Sequence, residues 1–480
     1  MISRSGIYID GAWRQPLDAD EFDAINPATE QACGRFLGGG AADVDEAVKA
    51  AVAAAGAVVA LPVAERIKIL GQIADGIEAR AEEIAQSITA EMGSPLWIAR
   101  GPHIVNAVGH YRNYSEILSN YRFAEQRGGT MVVREPIGVC GLITPWNWPL
   151  HLISIKVAAA IAAGCPMVLK PSEIAPTAAI ILTEVIAASD LPKGGFNLVL
   201  GRLKAGAALV EHPDVRLLSF TGSVGAGIRI AQAAAPTLKR VVQELGGNAA
   251  NIVLPDVDLE HAVREGLIRS TRNSGQSCNA PSRMLVPASQ LEKAAAIAAE
   301  TAKSLRIGNP LEDNVDVGPV ASRQQFEMLG RIIREAVAEG ARLVCGGGER
   351  AAGFDQGYYI APTVLIAERG MKIAREEVFG PVLILQAYAD IDDAIELAEA
   401  TPYGLQSFVQ TRDPAMATYV AKRMRTGHVT FNYTPMDFAV PFGGMKLSGN
   451  GREGGVEGLE EYLEVKSLVG FDTVPEMAWN

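Results

Sequence analysis

With 480 residues, 48% of them hydrophobic, the chain can fill several cores, and ordinary domain sizes divide it into two to four units. A formal charge of −12 without a local cluster of Lys and Arg argues against a surface that gathers nucleic acid by releasing counterions. Five scattered cysteines (Cys33, Cys140, Cys165, Cys278, Cys345) without a Cys-x-x-Cys pair, and six histidines without ligand spacing, suggest neither a disulfide framework nor a metal site.

The first residues lack the apolar core of a secretory signal, so the expected compartment is the reducing cytoplasm. The Ala-rich stretch 41–60 has the composition of a helix. From Gly138 the pattern alternates: a strand-like run Val139–Ile143, a helix Pro149–Ala163, a strand Met167–Lys170 and a helix Pro176–Ala188. His151, Lys156 and Pro166 interrupt the most apolar part of this region, which therefore reads as buried structure, with no membrane partner expected. The alternation continues with Phe196–Leu200, a helix near Ala205–Val210, Leu217–Thr221, a helix Gly225–Ala235 and Val241–Leu245. Five strands with four crossovers predict a parallel nucleotide-binding sheet.

Gly246-Gly247 marks a boundary, after which a second α/β pattern opens with Asn251–Leu254, an Asp258-capped helix to Arg272 and the strand Arg283–Val286. Two segments suit neither unit: the polar stretch Tyr121–Arg134 and the acidic, aromatic end from Glu457. They are expected to pair as an arm between subunits.

One thiol is set in a Gly-containing loop between the capped helix and the strand, Asn273-Ser-Gly-Gln-Ser-Cys278-Asn-Ala-Pro-Ser-Arg283. Upstream stands Val242-Gln-Glu244-Leu-Gly-Gly-Asn248. This pair of motifs resembles the nucleophile and base motifs of the aldehyde dehydrogenase superfamily. Further stretches follow the family's order: Thr144-Pro-Trp-Asn147-Trp-Pro, Leu169-Lys170-Pro-Ser-Glu173, Phe220-Thr-Gly-Ser223, Glu376-Glu377-Val-Phe379-Gly-Pro381 and Pro441-Phe442-Gly-Gly-Met-Lys-Leu-Ser-Gly449.

The resemblance spans essentially the whole chain and implies an α/β fold of three parts. A Rossmann-like dinucleotide-binding domain is expected over 1–120 and 141–246, and an α/β catalytic domain over 247–441. A small β oligomerisation arm with the C-terminal segment takes 121–140 and 442–480. The implied activity is oxidation of a small-molecule aldehyde to its acid, by a homodimer or homotetramer.

An ordinary thiol is only a few per cent thiolate at neutral pH, so a nucleophilic Cys needs a base or a favourable environment. By resemblance Cys278 attacks the carbonyl, and the Asn147 amide and the Cys278 N–H meet the oxyanion. The thioester left after hydride loss needs an activated water. Glu244 resembles the base, which acyl-transferring relatives lack, so the expected product is the free acid. Lys156 matches a position tied to the proton network.

The stretch Gly222-Ser-Val-Gly225-Ala-Gly227 is not a G-x-G-x-x-G fingerprint, because Val224 takes the middle glycine position. Ser223 and the amides after it can still meet a pyrophosphate at a helix N-terminus. Lys170 and Glu173 are expected at the adenosine ribose, where a carboxylate prefers a free 2′-hydroxyl and so NAD over NADP. The resemblance also assigns Thr144, Trp146 and Gly246 to the cofactor, with Glu377 and Phe379 at the nicotinamide end. Taken singly, Lys156, Lys170, Glu173 and Glu377 would be solvated surface charges, Glu244 a strand end and Asn147 a turn residue. Trp148 and Phe442 fit either a core or the aldehyde channel, and Ile155 suggests a wide or aliphatic entry. A thiol hydrolase and a non-catalytic NAD-binding protein are the alternatives.

Overall fold

Five of the apolar runs become five parallel strands, Cys140–Ile143, Met167–Lys170, Phe196–Leu198, Leu217–Thr221 and Arg240–Glu244. The computed structural model describes residues 2–435 and 437–470, with the backbone alone for 2–5; the stretch 471–480 assigned to the arm lies outside the described residues. Crossover helices cover both faces of the sheet, which is why strands such as Met167–Lys170 and Leu217–Thr221 are buried at every position and show no polar alternation.

Across the sheet the order is Arg240–Glu244, Leu217–Thr221, Cys140–Ile143, Met167–Lys170, Phe196–Leu198. The chain winds from Cys140–Ile143 to one side and returns to the other, so the strand order reverses beside this strand. Open α/β sheets bind ligands in such a crevice, at the carboxyl ends. Distant parts of the chain complete the edges. Ile7–Ile9 joins Phe196–Leu198 antiparallel, with Ala12–Arg14 beyond it, and Gly449–Asn450 pairs antiparallel with Gln243 and Glu244.

The helix Pro149–Ala163 carries Pro at its first position and stops at Gly164, whose φ of +80° is the left-handed geometry that ends helices. Against it packs Ile104–Asn120, preceded by a π-helical turn, Ala99–His103. Ser223 caps Val224–Ala234 through Oγ, which accepts the Ala226 N–H at 3.4 Å. Gly227 lets this helix approach the sheet: a Cβ there would lie 2.7 Å from Leu245 Cδ2.

The second sheet has the order Arg342–Cys345, Thr363–Ile366, Val382–Tyr388, Arg283–Pro287, Ala250–Val253, Gln406–Gln410, His428–Phe431, parallel except for the first strand. The buried guanidinium of Arg283 ties its centre together by donating to the carbonyls of Asn248, Leu397 and Ala398 at 2.8–3.1 Å. The two segments that suited neither unit pair: Leu463–Val469 runs antiparallel to Thr130–Pro136, which forms a hairpin with Ala124–Arg127. Among the described residues no helix is long and apolar enough to cross a membrane.

The helix Leu259–Thr271 begins at Asp258, whose Oδ1 accepts the N–H groups of Glu260 and His261 at 3.0 and 3.4 Å. Asp258→Ala leaves these donors without their cap and is expected to cost about 1 kcal/mol. A urea titration checks this: the midpoint should fall with the slope unchanged.

Candidate active site

The loop bearing Cys278 leaves the helix Leu259–Thr271 through three consecutive left-handed residues, Asn273, Ser274 and Gly275, with φ of 54°, 56° and 70°. Left-handed non-glycine residues cost about 1–3 kcal/mol each and persist only where surroundings impose them. Here Ser274 Oγ donates to the Gly318 carbonyl at 2.9 Å and Gln276 Oε1 accepts the Ala321 N–H at 2.8 Å. A Cβ on Gly275 would run into the Gly380 carbonyl. The result is a rigid turn that leaves Cys278 half-buried.

Two loops from the carboxyl edge of the first sheet close on this turn. Asn147 is buried, and its Nδ2 donates to the Gln276 carbonyl at 3.0 Å while its own carbonyl accepts from Asn273 Nδ2 at 2.9 Å. One amide hydrogen of Asn147 remains for another acceptor. Trp148 Nε1 donates to Ser277 Oγ at 2.7 Å. On the second loop Gly247 approaches so closely that a Cβ would strike the Cys278 carbonyl.

Glu244 ends its strand 2% exposed, and neither carboxylate oxygen has a hydrogen-bond partner. Burial raises its pKa well above the ordinary value and the charge of Glu453 adds to this, while Lys156 and Arg452 pull the other way. Lys156 is fully buried, contrary to its default reading as a solvated charge. Its ammonium pairs with Glu453 and donates to Ser219 Oγ at 2.9 Å.

Glu377, likewise no free surface charge, accepts the Gly247 N–H at 2.9 Å, and a Cβ on Gly246 would collide with its carboxylate. Burial pushes Glu377 up to about 7. The Cys278 thiol is pushed far up, first by burial and then by the negative charges of Glu377 and Glu244. Phe379 meets Trp146 edge to face with centroids 5.7 Å apart.

Toward the far side of the sheet edge, Lys170 is buried with Nζ 3.4 Å from Glu173 Oε2, and burial lowers its pKa. Thr144 and Thr221, at the ends of neighbouring strands, are buried with hydroxyls that lack a protein partner. The exposed Ser223 caps its helix beside them. Orphaned hydroxyls, a buried ammonium and an open helix N-terminus along one crevice fit a polar, phosphate-bearing ligand.

The structure therefore gathers Cys278, Glu244, Asn147, Lys156, Gly246, Glu377, Phe379 and Trp146 around one cleft, with Thr144, Lys170, Glu173 and Ser223 along its extension. Phe442 is half-buried with its ring 5.1 Å from that of His428, and its backbone bridges to Glu453. Sequence reasoning missed Glu453 and Arg452. A signal existed: the helix around Lys156 contains no acidic residue, so a buried ammonium there requires a carboxylate from elsewhere. Among the described residues no cluster of His, Cys, Asp and Glu is arranged to hold a metal ion.

The family model described as the aldehyde dehydrogenase family matches residues 13–468. A 3-succinoylsemialdehyde-pyridine dehydrogenase from a Pseudomonas species is 48% identical over 97% of this chain and 98% of its own length. Among solved structures, a cysteine-to-alanine mutant of aldehyde dehydrogenase C from Pseudomonas syringae, complexed with NAD+ and octanal, superposes with a TM-score of 0.96 at 48% identity, covering 98% of this chain and 97% of that one. Betaine aldehyde dehydrogenase from Staphylococcus aureus, complexed with NAD+, gives 0.93 at 34% identity over 96% and 94%.

The two carboxylates around Cys278 predict its reactivity. Alkylation by iodoacetamide should be slow at neutral pH and accelerate as pH rises. At pH 8.5, where Glu377 is mostly charged, Glu377→Gln should speed it several-fold by removing a negative neighbour of the thiolate. Rates that ignore both pH and the substitution would contradict the electrostatics described.

Proposed function

The chain belongs to the aldehyde dehydrogenase family, and from that premise we propose that it oxidises an aldehyde to the carboxylic acid with NAD, using Cys278 as nucleophile and Glu244 as hydrolytic base. The observation that carries this reading is the convergence on one half-buried thiol of two carboxylates, Glu244 at a strand end and Glu377 on a separate loop, the first without a single hydrogen-bond partner.

Attack by Cys278 sulfur on the carbonyl carbon places negative charge on the former carbonyl oxygen. The free amide hydrogen of Asn147 and the Cys278 N–H are suited to stabilise it, and the bond from Asn147 to Gln276 holds the amide in position beforehand. When bound, NAD supplies the acceptor for the hydride that leaves the resulting thiohemiacetal. Lys170, Glu173, Thr144, Ser223 and Trp146 would hold its adenosine and pyrophosphate portions, and Gly246, Glu377 and Phe379 its nicotinamide end. The cleft fits such a group because its orphaned hydroxyls, buried ammonium and helix terminus offer donors along its length.

Water then opens the thioester, with Glu244 taking a proton from it. A carboxylate raised by burial is a stronger base than one in water, provided it can ionise. The Lys156–Glu453 pair behind it opposes itself on Glu244: the ammonium favours ionisation and the second carboxylate resists it. Glu173 favours NAD over NADP through a free 2′-hydroxyl.

For the subunit arrangement we propose a homodimer or homotetramer. Leu463–Val469 forms an edge of its three-stranded sheet and exposes Val465 and Val469, which suits an intersubunit contact. Five unpaired thiols suit the cytoplasm.

NADH absorbance with a panel of aldehydes tests the activity directly; NAD binding without oxidation of any aldehyde would sink the proposal. Glu244→Gln should keep a first-turnover burst of NADH yet lose steady-state turnover by roughly a hundredfold or more. Equal loss of both phases would remove Glu244 from hydrolysis. Because Glu244 acts as a carboxylate with a raised pKa, deacylation should increase with pH. Glu453→Gln removes a like charge, lowers that pKa and should move the rising limb toward acid, which a pH profile of kcat in the hydrolysis-limited regime would reveal.

A further inference from the structure

Three histidines gather beside the nucleophile loop without a role in the chemistry above. His103 lies against Trp148, with centroids 4.2 Å apart and the rings tilted by 30°, and Trp148 is the residue bonded to Ser277. One turn beyond Trp148, His151 presents its ring edgewise to the indole at 6.3 Å, and it shares a helical face with Ile155. His151 Nδ1 and His110 Nε2 are joined by a hydrogen bond of 3.0 Å, and the Phe438 ring stands edge-on to His110 at 5.5 Å. Ile155 Cδ1 in turn approaches the backbone at Gly454, beside Glu453. This wall therefore runs from Ser277 at the nucleophile loop to the loop after Phe438.

The ring nitrogens are not equivalent. Nδ1 of His110 is sealed from solvent without a partner and His103 is sealed with Asn273 beside it, whereas His151 is half-buried and its Nε2 stands outside that seal. Burial keeps all three imidazoles neutral at pH 7, with His103 lowered to about 3, His151 to about 4 and His110 well below its ordinary value. In a neutral pair one imidazole donates to the other. A buried N–H without a partner is rarer than a bare acceptor, so the His110 proton belongs on Nε2, facing His151 Nδ1. That choice places the His151 proton on Nε2, the nitrogen left open.

We propose that this wall is a polar recognition subsite for the aldehyde's tail, in which His151 offers a neutral N–H donor to a keto oxygen or heteroaromatic nitrogen, so that acceptor-bearing aldehydes are preferred over plain alkanals of equal length. The proposal rests on the aldehyde-oxidising reading of the cleft and assigns its specificity. An unsubstituted chain leaves the donor unpaired, which is the penalty that discriminates.

The test uses Cys278→Ala protein loaded with NAD, which binds without turnover. Calorimetry compares octanal with octanals bearing one keto group at successive carbons. At least one keto-octanal is expected to bind about 5- to 50-fold more tightly than octanal. His151→Leu in the same background should abolish that preference while octanal affinity stays within about twofold; His151→Gln, which keeps an N–H donor, should retain part of it. His151→Phe preserves a ring against Trp148 and serves if the Leu variant melts early. A flat series, or a preference that survives loss of the imidazole, overturns the subsite. Failure of the wild-type protein to reduce NAD with any aldehyde would strike the oxidation reading instead, while the binding ratios would still judge His151.

Discussion

A single buried ammonium organises the centre of this molecule. Lys156 lies in a helix that is almost wholly buried and contains no acidic residue, so its charge must find a partner from outside the helix. Glu453 supplies it and Ser219 completes the triangle. Removing one partner of such a pair costs about 3–5 kcal/mol, because the other charge is left stranded. The requirement draws a distant C-terminal loop onto the first sheet. There Gly449 pairs with Glu244, Ser448 accepts the Leu245 N–H at its carbonyl, and its hydroxyl bridges Gly246 and Gly404. The same pair that anchors the loop thereby shapes the electrostatics of the adjoining carboxylate.

Close backbone approach is the second constraint. Gly246 and Gly247 join the two sheets: a Cβ on Gly247 would strike the Cys278 carbonyl, and one on Gly246 would displace the Glu377 carboxylate. The two glycines thus let a carboxylate at a strand end, Glu244, and one on a separate loop, Glu377, bear on one thiol. Strain is stored in the left-handed run before Cys278, where Ser274 and Gln276 are bonded to a neighbouring loop. A thiol held this way has its position set in advance by the fold.

Much of the site is kept neutral by burial. The thiol, Glu244 and the histidines of the channel wall are all shifted toward their uncharged forms, and Glu377 sits near the middle of its titration at physiological pH. Charge then develops during reaction rather than before it, in surroundings where preorganised donors act strongly. Neutral imidazoles along the wall extend this character to substrate recognition, which becomes a matter of hydrogen bonding.

The sequence alone determined the alternating α/β order, the five parallel strands, the helix cap at Asp258 and the loop that presents Cys278, because these follow from local periodicity and turn chemistry. Motif order was enough to name the family and the residues around the cleft. Tertiary structure alone decided that Lys156 and Lys170 are buried, that Glu453 stands behind Glu244, that the distant segments 7–14 and 449–450 complete the edges of the first sheet, and that His103, His110 and His151 meet. Each of those facts joins residues far apart in sequence, where no local pattern records the pairing. Burial itself is a property of the packed whole: the same lysine is a surface charge on an isolated helix and an obligatory ion-pair partner inside this one.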